Sequence, residues 1–278
     1  MKRIVTIQDI SCVGKCSLTV ALPIISAMGI ETAVIPTAVL STHTAFKNFT
    51  YRDLTNDLPK IANHWKQEKF EFDGIYTGYL GSIEQIDMLK EFFKQFKTSE
   101  NFIFIDPVMA DNGKLYAGFD TNFVKEMKKL CKTADVIVPN LTEASYMLET
   151  EYKESYSEEE IKHMLIELSN LGPKYVVLTG VSFKKNELGV MSYNKETNKF
   201  FTYFKEKVPA KYHGTGDIFA STLVGAITNN STLEDSLKIA VDYVWETIND
   251  TYKTNKEDVY GVNFETKIPY LIDRIKKN

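Results

Sequence analysis

From its first residues to about residue 180 the chain alternates short apolar runs with longer segments of helical period. That rhythm limits the fold more than any other feature, because it is the pattern of repeated strand–helix–strand units on a mainly parallel sheet. The runs "RIVTIQ" (3–8), "TAVIPTAV" (32–39), "FDGIYTGY" (72–79), "NFIFIDPV" (101–108), "ADVIVPN" (134–140) and "KYVVLTG" (174–180) are expected strands. Several are apolar at consecutive positions, so both faces of the sheet need cover. Helices are expected near 16–28, 55–68, 82–97, 120–132, 142–149 and 157–170, the first kinked or started late by Pro23. Beyond residue 180 the pattern changes. "ELGVMSY" and "KFFTYFK" read as antiparallel strands around the turn "NKETN", and helices follow near 216–229 and 233–249. No repeat, low-complexity tract or linker-like stretch breaks the chain, so a single α/β domain over 1–278 is expected.

Charge and cysteine usage narrow the function classes. A net charge of −4 gives no electrostatic footprint for nucleic acid or an anionic membrane. Neither is an expected partner; a small molecule is. Cys12, Cys16 and Cys131 are too few and odd in number for a disulfide framework, and the C-x3-C spacing of the first two lacks the second pair a zinc site needs. The N-terminus "MKRIVTIQDIS" runs directly into a strand-like segment, and no run of 18 apolar residues occurs. A soluble cytoplasmic protein is expected.

In open α/β sheets ligands sit outside the carboxyl ends of the strands, so the residues following each strand should share a crevice. Here they are Asp9, the stretch Ser41 to Thr44, Tyr79, Asp106 with Asp111, Asn140 with Glu143, Thr179 with Gly180, and the run "HGTGD". The set is unusually polar and acidic. Asp106 and Asp111 in "DPVMADNGKLY", and Asn140 and Glu143 in "PNLTEAS", are hard oxygen donors of the kind that suit Mg²⁺. The same letters also spell a turn starter and a helix capping box. Gly214, Thr215 and Gly216 can offer main-chain N–H groups to a phosphoryl group at a helix start. Asp217 would then stand beside the phosphoryl group as a proton acceptor, or be only a helix-terminal acid. A dinucleotide site has less support, since "GTGDIF" lacks a third glycine and does not follow the first strand; this argues against a nicotinamide-dependent oxidoreductase. "CVGKCS" lacks the spacing of a Walker loop. His43 in a polar loop could touch a substrate, and Tyr79 could stack on a flat ring.

Taken in order, "IQDISCVGKCSLTVALPIISAMG", "LSTHTAF", "GYLGS", "DPVMADNGKLY", "PNLTEAS", "LTG" and "HGTGD" resemble the pyridoxal kinase branch of the ribokinase superfamily. The similarity spans essentially the whole chain. It implies a ribokinase-like three-layer α/β/α fold with a central, mostly parallel sheet, in a homodimer. The implied activity is ATP-dependent phosphorylation of the 5′-hydroxymethyl group of a vitamin B6 vitamer, with Mg²⁺ and, in some relatives, K⁺. By this resemblance Asp217 is the base, and Gly214, Thr215 and Gly216 form the anion hole. Asp111, Asn140, Glu143 and Thr179 attend the ATP phosphates, with Asp106 and Glu143 on the metal and Tyr116 in the segment that covers the nucleotide. His43, Thr44 and Tyr79 line the vitamer pocket. Asp9 departs from the many pyridoxal kinases that carry serine there. A carboxylate beside a ring nitrogen would favour the protonated pyridinium and alter vitamer preference. Hydroxymethylpyrimidine kinases of the same superfamily tend to have aspartate thereabouts, which keeps that activity as an alternative. A nucleotide-binding regulator without turnover is a further alternative, opposed by the intact "GTGD".

Overall fold

The computed structural model describes residues 1–254 and 260–276. The chain forms two compact units, Met1–Gly81 together with Val208–Asn278, and Ser82–Lys207. The first unit opens with β1 (Arg3–Val13), α1 (Leu18–Ala27), β2 (Glu31–Thr42), β3 (Tyr51–Asp53), α2 (Leu58–Gln67) and β4 (Gly74–Thr77). Its strands lie in the order β4-β1-β2-β3. β1 is parallel to both β4 and β2, and the short β3 runs antiparallel to β2. The apolar run that begins β1 explains its central place, since Ile4, Val5 and Ile7 are almost wholly buried.

The second unit holds α3 (Ile83–Phe96), β5 (Phe102–Ile105), β6 (Ala110–Asp111), β7 (Lys114–Leu115), α4 (Thr121–Cys131), β8 (Val136–Ile137), α5 (Leu141–Leu148), α6 (Glu158–Asn170), β9 (Tyr175–Val181), β10 (Glu187–Asn194) and β11 (Lys199–Glu206). Its strands lie in the order β11-β10-β9-β8-β5, with β5, β8 and β9 parallel and β10 antiparallel to each neighbour. The helices start where the sequence supplies oxygen acceptors. Ser82 caps α3 through Gln85 N–H, Asp120 caps α4, and Ser157 with Glu160 closes a reciprocal capping box on α6. α3 then buries Ile86, Leu89, Phe92, Phe93 and Phe96, a stripe at helical spacing. The chain returns to the first unit as α7 (Thr215–Thr228), α8 (Leu233–Lys253) and α9 (Ile268–Lys276). The parallel α/β class read from the sequence is the one found.

Three boundaries differ from expectation in ways that matter for the site. β1 does not end at residue 8 but runs to Val13, so Asp9 lies within the strand rather than after it. The register with β2 shifts between Gln8 and Ile10, where the single residue Asp9 stands opposite two residues of β2, Thr37 and Ala38, so the extra residue of the bulge lies in β2. β2 likewise continues through Ser41 and Thr42, leaving only His43 and Thr44 in the loop beyond it. β9 runs to Val181, one residue beyond the expected run, with Thr179 and Gly180 in the strand as that run had them. α1 begins at Leu18 and passes through Pro23, whose missing N–H costs one internal hydrogen bond without ending the helix.

Candidate active site

In the first unit the site is built by β1, the turn that follows it, and the start of α7. Gly214 is the N-cap of α7 with φ +80, a left-handed conformation that favours glycine. A Cβ there would also run into the carbonyl oxygen of Lys15. Ile218 N–H donates to Gly214 C=O at 3.1 Å and closes the first turn, so the earlier N–H groups of the helix have no carbonyl within it to bind. A Cβ placed on Gly216 meets no atom within 4 Å, so the space over this helix start is open. An anion fits there.

Asp217 stands at the edge of that space, partly buried. Burial, and after it the neighbouring Asp9, push Asp217 up to about 7, against the lowering effect of the Ser17 main chain. A carboxyl tuned to that value can take a proton near neutral pH. Asp9 is buried, and burial raises it, while the hydroxyl of Ser11 donates to it at 3.3 Å. Tyr79, just past β4, is pushed up to about 12 by burial and then by Asp9 and Tyr51. Asp9, Tyr79 and Asp217 are therefore brought together.

His43 is also here. It is buried, its ring stacks on His213 with centroids 4.2 Å apart, and its Nδ1 accepts from Ala45 N–H at 3.3 Å. Gly14, at φ +121, packs so close beneath it that a Cβ would overlap the ring. Thr44 is exposed beside it. Lys15, in the Walker-like fragment, turns away from phosphate work: its Nζ pairs with Glu265 at 2.8 Å and Asn263 at 3.2 Å.

Three residues of this cluster went unread as site residues in the sequence: Ser11, Cys16 and Ser17. Cys16 is a buried thiol raised to about 12 by burial, then by Asp217, which keeps it protonated and inert. Ser17 sits at φ 48, ψ −131, a conformation that costs a non-glycine residue about 1–3 kcal/mol. No local letter pattern marks such a residue.

In the second unit a separate acidic group gathers after β5 and β8. Asn140 and Glu143 form the capping box of α5: Asn140 Oδ1 accepts from Glu143 N–H, and Glu143 Oε2 accepts from Asn140 N–H, each at 2.9 Å. The other oxygen of Glu143 accepts from Met109 N–H at 3.1 Å, and Asn140 Nδ2 donates to Ala110 C=O at 2.8 Å. The box thereby ties α5 to the loop after Asp106. Glu143 is fully enclosed, and burial raises its carboxyl despite these donors. Thr179 bridges Asn140 in parallel register, and Thr179 N–H donates to Pro139 C=O at 3.1 Å. Asp106 is buried at the end of β5. Asp111 is exposed on the small β6–β7 hairpin, which is held to α5 by Gly113 N–H donating to Thr142 Oγ1 at 3.0 Å. Tyr116 is 41% exposed just beyond that hairpin.

Among the described residues no three His, Cys, Asp or Glu side chains converge as a ready-made metal cage. The donor set suits Mg²⁺ in its usual manner, through one or two carboxylates with water and phosphate completing the shell. Asp106 and Glu143, both buried, are the carboxylates of that set. No helix among the described residues is long and apolar enough to cross a membrane.

Comparison with known proteins agrees with this chemistry. A family model described as phosphomethylpyrimidine kinase matches residues 22–262. A crystal structure of a Bacteroides thetaiotaomicron VPI-5482 protein assigned as a phosphomethylpyrimidine kinase, in a form with pyridoxal, is 40% identical, with a TM-score of 0.93 over 97% of this chain and 95% of that one. The pyridoxal kinase of Lactobacillus plantarum is 28% identical, with a TM-score of 0.91 over 100% of this chain and 99% of its own. The pyridoxal kinase of Dictyostelium discoideum is 26% identical over 269 residues, 91% of this chain and 88% of that protein.

Proposed function

The chain belongs to the phosphomethylpyrimidine kinase family, and from that footing we propose that it transfers the γ-phosphoryl group of ATP to the 5′-hydroxymethyl group of a vitamin B6 vitamer. The observation that carries this reading is the Asp217 carboxyl, raised to about 7 beside an open, glycine-flanked helix start. Asp217 accepts the proton of the attacking hydroxyl, and the N–H groups around Gly214, Thr215 and Gly216 stabilise the charge on the phosphoryl oxygens. Asp9, His43, Thr44 and Tyr79 hold the vitamer ring. Asp111, Asn140, Thr179 and Tyr116 attend the nucleotide. Mg²⁺ held by Asp106 and Glu143 would neutralise charge on the ATP phosphates. We further propose that residues 1–278 act as one kinase domain, cytoplasmic and homodimeric.

The family description supports a second reading, phosphorylation of a hydroxymethylpyrimidine. Both are tested by ADP release with pyridoxal, pyridoxine, pyridoxamine and hydroxymethylpyrimidine, with and without Mg²⁺ and K⁺. The B6 reading requires a higher kcat/KM for at least one B6 vitamer than for the pyrimidine. The reverse order would transfer the assignment to the pyrimidine. No turnover with any of the four, together with tight ATP binding, would support the regulator reading.

A further inference from the structure

Three segments distant in sequence cross at the start of α7, and two of the crossings are made at glycines of positive φ. Gly214 (φ +80) lies so close to the turn after β1 that a Cβ would overlap the carbonyl oxygen of Lys15. Gly261 (φ +99) meets the same residue: a Cβ there would come within 2.9 Å of Lys15 Cβ and within 3.3 Å of the carbonyl oxygens of Lys15 and His213. Neither crossing leaves room for a side chain, and both backbones favour glycine. Lys15 is thus packed against the loop that offers the N–H groups and against the segment 260–265. Its side chain fastens that segment. Nζ stands 2.8 Å from Glu265 Oε2 and donates to Asn263 Oδ1 at 3.2 Å, while the rings of Tyr260 and Phe264 have their centroids 6.0 and 5.9 Å away, within reach of a cation–π contact. The segment is itself rooted in the fold. Val262 and Phe264 are buried, Asn263 N–H donates to Thr251 Oγ1 at 2.8 Å, and Tyr243 O–H donates to Phe264 C=O at 2.9 Å.

We propose that Lys15 is a positioning residue for phosphoryl transfer: its ammonium pins the segment 260–265, and that segment and the Lys15 carbonyl together hold His213 and Gly214, setting the N–H groups at the start of α7. This rests on the kinase reading, in which those N–H groups meet the transferred phosphoryl group. Donors of this kind work only where charge develops, and a displacement of about 1 Å can cost on the order of 10²-fold in rate. Asp9 and Tyr79, which hold the ring in that reading, are not part of the crossing. The effect of Lys15 therefore falls on kcat and not on vitamer binding.

Lys15→Met keeps an apolar stem and removes the ammonium; Glu265→Gln removes the charge it faces, on a side chain that is half exposed. Lys15→Met should lower kcat about tenfold and Glu265→Gln about threefold, with KM for the vitamer unchanged in both. The double variant should fall no further than Lys15→Met, and Lys15→Arg, which can reach both partners, should recover most of the rate. Glu265→Gln separates positioning from direct phosphate contact. A lysine released from Glu265 to bind phosphate would leave the rate unchanged or raise it, and that result would overturn the proposal, as would wild-type kcat in Lys15→Met. Should Lys15→Met not fold, Glu265→Gln decides the matter alone. Hydrogen–deuterium exchange of the full chain, read on a peptide spanning residues 212–219, is independent of turnover. Exchange there should quicken in Lys15→Met and Glu265→Gln and return toward wild type in Lys15→Arg; no change, or an equal rise along the whole chain, would refute a positioning role. A wild-type chain that releases no ADP fails the kinase reading, while exchange still decides whether Lys15 holds the loop.

Discussion

Replacing Asp217 by asparagine should do two opposite things, and both can be sized. Asparagine has nearly the same shape and cannot accept the hydroxyl proton. Loss of a positioned base lowers kcat by about 10²–10⁴, equivalent to about 3–5 kcal/mol of barrier. The same change removes a carboxyl that the fold holds at about 7 instead of 3.8. A carboxyl raised on folding contributes most favourably below the unfolded value, and that contribution is lost as pH climbs through the folded one. At about 1.4 kcal/mol per pH decade, the cost of Asp217 is at most about 2 kcal/mol at pH 5 and about 4 kcal/mol at pH 8. Its partial exposure screens some of this, leaving a difference of about 1–2 kcal/mol between the two pH values. Asp217→Asn should therefore be the more stable chain, and by a wider margin at pH 8 than at pH 5. Urea unfolding of both chains at the two pH values measures the margin, and ADP release measures the rate. A margin that does not widen with pH, or a variant within tenfold of wild-type kcat, would refute the reasoning.

Gly214→Ala should lower Tm and abolish activity, because the Cβ meets the Lys15 carbonyl at a left-handed φ. Gly216→Ala, where nothing lies within 4 Å, should leave Tm within a few degrees and lower kcat by crowding the anion; equal damage from both would argue against the open space being functional. Glu143→Gln should destabilise by about 1–3 kcal/mol in urea unfolding, because the amide turns a donor toward one of the N–H groups of Asn140 and Met109. Asp9→Asn should change the ratio of kcat/KM between pyridoxal and pyridoxamine, since the charge that Asp9 presents to the ring is removed; an unchanged ratio would take Asp9 out of vitamer selection.

The candidate site was legible as a set of letters more than as a set of places. "GTGD" and "PNLTE" were readable because glycines before a helix and Asn-x-x-Glu at its start carry local geometry, and the capping box is formed as those letters allow. Asp9 was placed after a strand and lies inside it. The cause is that polar residues gathered for a site break the apolar run by which a strand is recognised. The three-residue β3 and the two-residue β6 and β7 hold too few residues to show a period. α9 went unread although Ile268, Leu271, Ile272 and Ile275 carry the i, i+3, i+4, i+7 spacing of an amphipathic helix. Ser17 could not be found, since no letter pattern marks its backbone conformation.

The anchoring of Lys15 has a consequence for how the protein is made. Its partners Asn263 and Glu265 lie 248 and 250 residues downstream, and its ammonium also faces the rings of Tyr260 and Phe264. At roughly 5–20 residues per second, a ribosome needs on the order of 10–50 seconds to reach that segment after Lys15 has been joined. Until then the turn bearing Ser17 lacks these downstream anchors, and α7 is itself a late arrival. The continuous unit, Ser82–Lys207, can fold while synthesis proceeds, whereas the unit that carries Asp217 must wait for the segment around Glu265. A nascent chain is thus incapable of phosphoryl transfer until its last stretch emerges.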